Sequence, residues 1–122
     1  MKFGINKQLL GIFIKDKLVW INFIIALLFN VAMWVMIYLK VAPTDQTVVL
    51  HYNILSGIDL LGQWYQIYTL PLIGIVLLVF NYVVAYRIYS RQVTFSYFLT
   101  IASSLEQIIL LISTFFVILV NL

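Results

Sequence analysis

Three apolar runs, about Leu18–Leu39, Ile67–Tyr86 and Val93–Val120, take up most of this 122-residue chain. Each reaches the roughly 20 residues that an α-helix needs to cross ~30 Å of hydrocarbon. In lipid a backbone N–H or C=O left unpaired is too costly, so runs of this kind are restricted to helices or closed barrels, and runs this long and unbroken read as helices. The segments between them are too short to bury a core of their own. A mean hydropathy of +1.12 with only 9% charged residues excludes an ordinary soluble domain. The reading is an all-α integral membrane protein, with three transmembrane helices at 18–39, 67–86 and 93–120 in a single domain over residues 1–122.

The basic residues fall on one side of these runs. Lys2, Lys7, Lys15 and Lys17 precede the first, Arg87 and Arg91 separate the second from the third, and Lys40 alone lies in the other connection. Positive residues in short loops stay cytoplasmic, which predicts a cytoplasmic N-terminus, an external segment 41–66 and an external C-terminus. Dispersed in this way, a formal charge of +3 builds no nucleic-acid surface. The absence of cysteine excludes disulfides, thiolate metal sites and cysteine nucleophiles. The first run is longer than a signal-peptide core, and Lys40-Val41-Ala42-Pro43 is a poor cleavage context, so an uncleaved span is expected. Ahead of it, Phe3–Ile14 places Ile5, Leu9, Ile12 and Phe13 on one helical face, with Lys7 and Lys15 elsewhere. That pattern fits an interfacial helix, and a plain N-terminal extension of the first span fits equally.

Aromatic residues mark the ends of the spans: Trp20 and Tyr38 on the first, Trp64, Tyr65 and Tyr68 at the external end of the second, and Tyr86, Tyr89 and Tyr97 around the turn to the third. Small and polar residues form stripes between these belts. Asn22, Ala26 and Asn30 share a face of the first span, Gly74, Leu78, Asn81 and Ala85 a face of the second, and Ala102, Ser103, Glu106 and Ser113 a face of the third, with Gln107 at its edge. Such stripes bring helices together, because small residues admit close approach and amides find partners across the contact. They predict a compact three-helix bundle.

Glu106 lies about 13 residues into its span, roughly 20 Å by helical rise, level with Asn30. A carboxylate is expensive at that depth, and such residues pair with neighbours or mark ion and proton paths. One reading makes Glu106 a proton or cation carrier oriented by Asn30 and Gln107. The other makes it a neutral acid hydrogen-bonded to Asn30 as packing glue. No second ionisable residue shares that depth, which favours glue.

Segment 41–66 is too apolar for a free loop. Thr47–Ile54 alternates, with Val48, Leu50, Tyr52 and Ile54 on one side, the period of a short half-buried strand. Ser56-Gly57 supplies a turn, and Asp59 is placed to cap a helical lead over Leu60–Tyr68. The segment is expected to fold down on the bundle.

The order Val49-Leu50-His51-Tyr52-Asn53, then Gly57, Asp59 and Gly62, then Leu70-Pro71-Leu72-Ile73-Gly74 resembles a bacterial membrane domain of unknown function. That domain also forms the N-terminal part of SdpI-like toxin-immunity proteins. The resemblance covers about Leu18–Tyr86 and rests on a P-x-H-[FY]-N-x-x-G-x-x-D-x-x-G loop followed by a span opening L-P-L. Here Val49 stands where the family carries proline, and Ile58, Leu60 and Leu61 make the surroundings of the aspartate apolar. The resemblance implies a multi-pass protein of the bacterial cytoplasmic membrane and draws attention to His51, Asn53, Gly57, Asp59 and Gly62. One histidine with one carboxylate and one amide is sparse for zinc, which takes three or four protein ligands. A hydrogen-bonded turn that satisfies loop backbone is the favoured role.

Nothing in the chain forms a nucleophile–base–orienter set or a glycine-rich phosphate loop, so neither an enzyme nor a cofactor is expected. The sequence points to a small non-enzymatic accessory or interaction module in the lipid bilayer, partnered by a second copy or by another membrane protein. The alternative is an oligomeric transporter or channel subunit that uses Glu106.

Overall fold

In a computed structural model, residues 7–53, 55 and 57–122 are described, and the side chains of Tyr52, Asn53, Ile58 and Asp59 lie outside that description. Of the residues named above, Lys2, Phe3, Ile5, Ile54 and Ser56, with the side chains of Tyr52, Asn53, Ile58 and Asp59, therefore lie outside the described set. The elements run α1 (Lys7–Lys15), α2 (Lys17–Lys40), β1 (Val48–Asn53), β2 (Gly57–Gly62), a 3-10 helix (Trp64–Tyr68), α3 (Thr69–Ile88) and α4 (Val93–Val120).

The first span does not continue back into α1. Asp16 interrupts it with extended backbone (φ −66°, ψ 119°) and caps α2, its carboxylate accepting the Leu18 N–H at 3.1 Å. α1 is thereby free to turn and bury Phe13 edge-on against Tyr82, Tyr86 and Tyr89, with ring centroids 6.3, 5.7 and 5.3 Å away.

α2 buries Val19, Ala26, Asn30, Met33 and Ile37, and α3 buries Pro71, Gly74, Leu78, Asn81 and Ala85. The steps of three, four and seven keep each set on one face. α3 begins and ends two residues later than the apolar run indicated, because residues 64–68 form a 3-10 helix first. Pro71 then falls in the first turn of α3, where no N–H is needed. α4 packs along both α2 and α3, whereas those two touch each other far less. Its buried face is therefore broad and centred on Ser103, Gln107 and Thr114, with Ser96, Thr100 and Ser104 also buried. This corrects the stripe read for the third span. Gln107 is at the centre of the contact, while Ala102, Glu106 and Ser113 are half-buried at its margin.

The segment between α2 and α3 is a two-stranded antiparallel hairpin, with Val49 opposite Leu61 and Tyr52 opposite Ile58. The alternation marked β1 correctly, but the helical lead over Leu60–Tyr68 is replaced by β2 and the 3-10 helix. Asp59 lies within β2 and heads no helix. Gly57 makes this possible: its φ of +75° is open to glycine at little cost and turns the chain back along β1. Around Leu50 the register shifts, as at a bulge. Gln63 then opens the 3-10 helix, its N–H held by Gln66 Oε1 at 2.7 Å. A Cβ at Gly62 would meet the side-chain ends of Leu50 and Gln66, so any larger residue at this corner displaces both.

The hairpin folds onto the bundle. Ile37, Ile67, Val117 and Ile118 form a buried apolar cluster, with Val48 and Leu50 packed against it. Asn121, just past α4, clamps β1. Its Oδ1 accepts the Val49 N–H at 2.7 Å, and its Nδ2 donates to the Val49 carbonyl at 2.7 Å and to the Val117 carbonyl at 2.8 Å.

Candidate functional site: the buried polar network

Asn30 sits at mid-length on α2 and is fully engaged. Its Nδ2 donates to the Pro71 carbonyl at 2.9 Å and to Gln107 Oε1 at 3.0 Å. Its Oδ1 accepts from Trp34 Nε1 at 2.9 Å, and the Trp34 ring stacks on Tyr68 at 5.5 Å. Gln107 completes the ring by donating Nε2 to the Gly74 carbonyl at 2.7 Å. Both amides are almost wholly buried. The network ties α2, α3 and α4 together at one depth, and it depends on Gly74: a Cβ there would lie 2.6 Å from Gln107 Oε1 and 2.7 Å from Asn30 Nδ2.

Glu106 has a different partner. Asn81 on α3 donates Nδ2 to Glu106 Oε2 at 2.8 Å. Successive residues on a helix point about 100° apart by the 3.6-residue turn, so Glu106 and Gln107 meet different neighbours. Asn30 and Gln107, expected to orient Glu106, bond to each other instead, and the expected Asn30–Glu106 pair is an Asn81–Glu106 pair. A neutral amide, not a cation, faces the carboxyl group. A third cross-helix contact joins Ser104 to Asn22, its hydroxyl donating to Oδ1 at 2.9 Å. Among the described residues, no buried side-chain nitrogen or oxygen lacks a hydrogen-bond partner.

A second polar cluster lies where α1, α2, α3 and α4 meet. The Tyr89 hydroxyl donates to Asp16 Oδ2 at 2.7 Å, and the Tyr97 hydroxyl donates to the same oxygen. Burial pulls the Asp16 carboxyl up, but the hydrogen bonds from Tyr97, Tyr89 and the Leu18 and Val19 N–H groups outweigh it and hold it below its ordinary value. The bond to Asp16, together with burial, pushes the Tyr89 phenol up. Tyr82 adds a further tie, donating its hydroxyl to the Val19 carbonyl at 2.8 Å. Sequence reading passed over this cluster. Its signal was Asp16 itself, one of four acidic residues in the chain, standing between Lys15 and Lys17 at the head of an apolar run. Trp34, Ser104 and Asn121 were also missed, each of them a polar group whose partner is remote in sequence or on a neighbouring turn.

The loop-motif residues lie on the hairpin and do not converge with the intramembrane amides. His51 is exposed on β1 and, with Leu50, Leu60, Gln66, Thr69 and Leu70, borders a recess of about 600 Å³ beside the head of α3. Gly57 supplies the positive φ of the turn, and Gly62 the close approach of Leu50 and Gln66.

Chemically, the interior is a set of amide, hydroxyl and carboxyl contacts that close helix against helix. The fold is that of a small helical bundle, with three helices among the described residues long and apolar enough to cross a membrane. No family model, no curated protein and no solved structure matches this chain.

Proposed function

We propose that this protein is a non-enzymatic accessory or interaction module of the bacterial cytoplasmic membrane. In this reading the bundle is a rigid carrier for the hairpin, and the hairpin engages another membrane component. The observation that carries it is the destination of the polar residues. Asn30, Gln107, Asn81, Glu106, Asn22 and Ser104 are spent on one another across the bundle, which supports glue over a path for ions. The hairpin, in contrast, leaves Leu55, Leu60 and Leu61 more than half exposed. An apolar surface of this kind beyond the spanning helices suits a partner.

The proposed orientation puts α1 in the cytoplasm and the hairpin outside, following the bias of lysine and arginine. A cysteine at Gln46 should then label with an impermeant reagent in intact cells, and one at Ser90 should not. The functional test is the mass and composition of the complex taken from native membranes in mild detergent. A hetero-complex that Leu60→Ser and Leu61→Ser together dissociate supports the module. A pure homo-oligomer with a cation or proton flux abolished by Glu106→Gln overturns it in favour of the transporter reading.

A further inference from the structure

Because α2 and α3 both lean on α4 and hardly on each other, a groove runs between them. Its volume is about 730 Å³, within the ~300–1,000 Å³ typical of small-molecule sites. Leu27 and Val31 form one wall and Val79 and Val83 the other, while Phe23 and Tyr82 meet edge-on across the floor at 5.2 Å. The inner end is bordered by Asn30 and Trp34; the Asn30 amide is engaged on both nitrogen and oxygen, and the Trp34 indole N–H is spent on it, so neither offers an apolar occupant a competing polar group. The other end lies beside α1, where Arg87 joins Leu10, Phe13 and Tyr86 in the lining.

We propose that this groove holds one acyl chain of an anionic phospholipid, with the phosphate at Arg87. This goes beyond the module reading and does not depend on it. Two observations select the occupant. The first is length: Ile75 and Arg87, both lining the groove, are twelve residues apart on α3, ~18 Å by helical rise. Half of a ~30 Å hydrocarbon core is roughly 15 Å, so the groove is one leaflet deep, too short for the full spanning helix of a partner. The second is charge. Lys7, Lys15, Lys17, Arg87 and Arg91 all stand at the α1 end, a strong excess over the one acid there, Asp16. A guanidinium at headgroup level above an apolar groove matches an anionic headgroup above its chain, and arginine pairs with phosphate through a two-pronged fork.

The test uses the full chain in detergent, titrated with phosphatidylglycerol or with phosphatidylethanolamine of the same chains and read by native mass spectrometry. The wild type should retain one phosphatidylglycerol per chain in preference to phosphatidylethanolamine. Arg87→Gln should weaken phosphatidylglycerol about fivefold, the effect of one basic side chain near a bilayer surface, and leave phosphatidylethanolamine unchanged. Arg91→Gln, which does not line the groove, should change neither. Val79→Trp, at a site more than half exposed, should displace both lipids, with Val83→Trp as a second filler should the first not fold. Equal losses in Arg87→Gln and Arg91→Gln would mean diffuse surface attraction and overturn the site. So would equal retention of the two lipids by the wild type, or full retention by a folded groove filler. A stable dimer that the fillers split would assign the groove to a second copy instead.

Discussion

Gly74→Ala should destabilise the bundle, and Gln107→Ala should reverse that effect. The added methyl would lie 2.6 Å from Gln107 Oε1 and 2.7 Å from Asn30 Nδ2, closer than carbon can approach either atom. Both side-chain ends must move, and both are buried, Gln107 at 0% and Asn30 at 2% exposure. The bonds at risk are Asn30 to Pro71, Asn30 to Gln107, and Gln107 to Gly74. Hydrogen bonds between membrane helices average ~0.6 kcal/mol each, so losing all three costs about 2 kcal/mol. Alanine recovers up to ~1 kcal/mol of that through its better helix propensity. Gly74→Ala alone should thus cost about 1 kcal/mol. In the Gln107→Ala background the obstructing amide is gone and Asn30 can retreat into its space. There the same substitution should be neutral or stabilising, a coupling of ~1–2 kcal/mol between the two positions. Reversible unfolding in mixed micelles of the wild type, both single variants and the double variant measures the coupling directly. Additivity within ~0.5 kcal/mol, as distant sites show, would refute the close-approach argument.

Three further predictions concern the other contacts. Asp16 has a carboxyl held below the ordinary 3.8, so its stabilising effect is complete above that value and disappears as pH falls through the lower folded-state value. Asp16→Asn should cost about 1 kcal/mol near neutrality, a reduced charged-group value for a partly exposed site. It should also remove part of the loss of stability seen below about pH 4, as unfolding curves from pH 3 to 7 would reveal. Glu106→Gln preserves an acceptor for Asn81 and should shift stability by less than ~0.5 kcal/mol, whereas Glu106→Leu orphans the amide and should cost ~1–3 kcal/mol. Equal losses in the two variants would show that the charge itself is required. Asn121→Ala removes the clamp on Val49, so hydrogen exchange at β1 amides should accelerate about tenfold or more, while α2 and α4 amides keep their protection.

What was legible in the chain follows from terms that act locally. Run length and hydropathy placed the three long helices to within two residues, because a spanning helix is set by the thickness it must cross, not by its neighbours. Helical periodicity likewise assigned Ala26, Asn30, Gly74, Leu78, Asn81 and Ala85 to inner faces, where α2 and α3 bury them. Strand alternation located β1, since one face of a strand packed on a core must be apolar. β2 escaped because Gly-Ile-Asp-Leu-Leu-Gly has no alternation of its own, and its pairing comes from β1 and the turn at Gly57.

Which polar groups meet was beyond a periodic reading. Asn30 and Glu106 stand at the same depth, yet depth is only one coordinate, and the rotation of α4 turns Gln107 to Asn30 and Glu106 to Asn81. That rotation follows from α4 serving two neighbours at once, a condition no single span contains. The same is true of Asp16, whose two phenols come from residues 73 and 81 positions away, and of Asn121, which reaches back 72 positions to Val49. The sequence by itself determined that the chain forms long apolar helices with one small or polar face each, because the free energy of transferring residues from water is additive along the chain. Only the tertiary structure decided the pairing of those faces and the groove they leave open, because hydrogen bonds and close packing depend on distance and direction between parts of the chain that the sequence keeps apart.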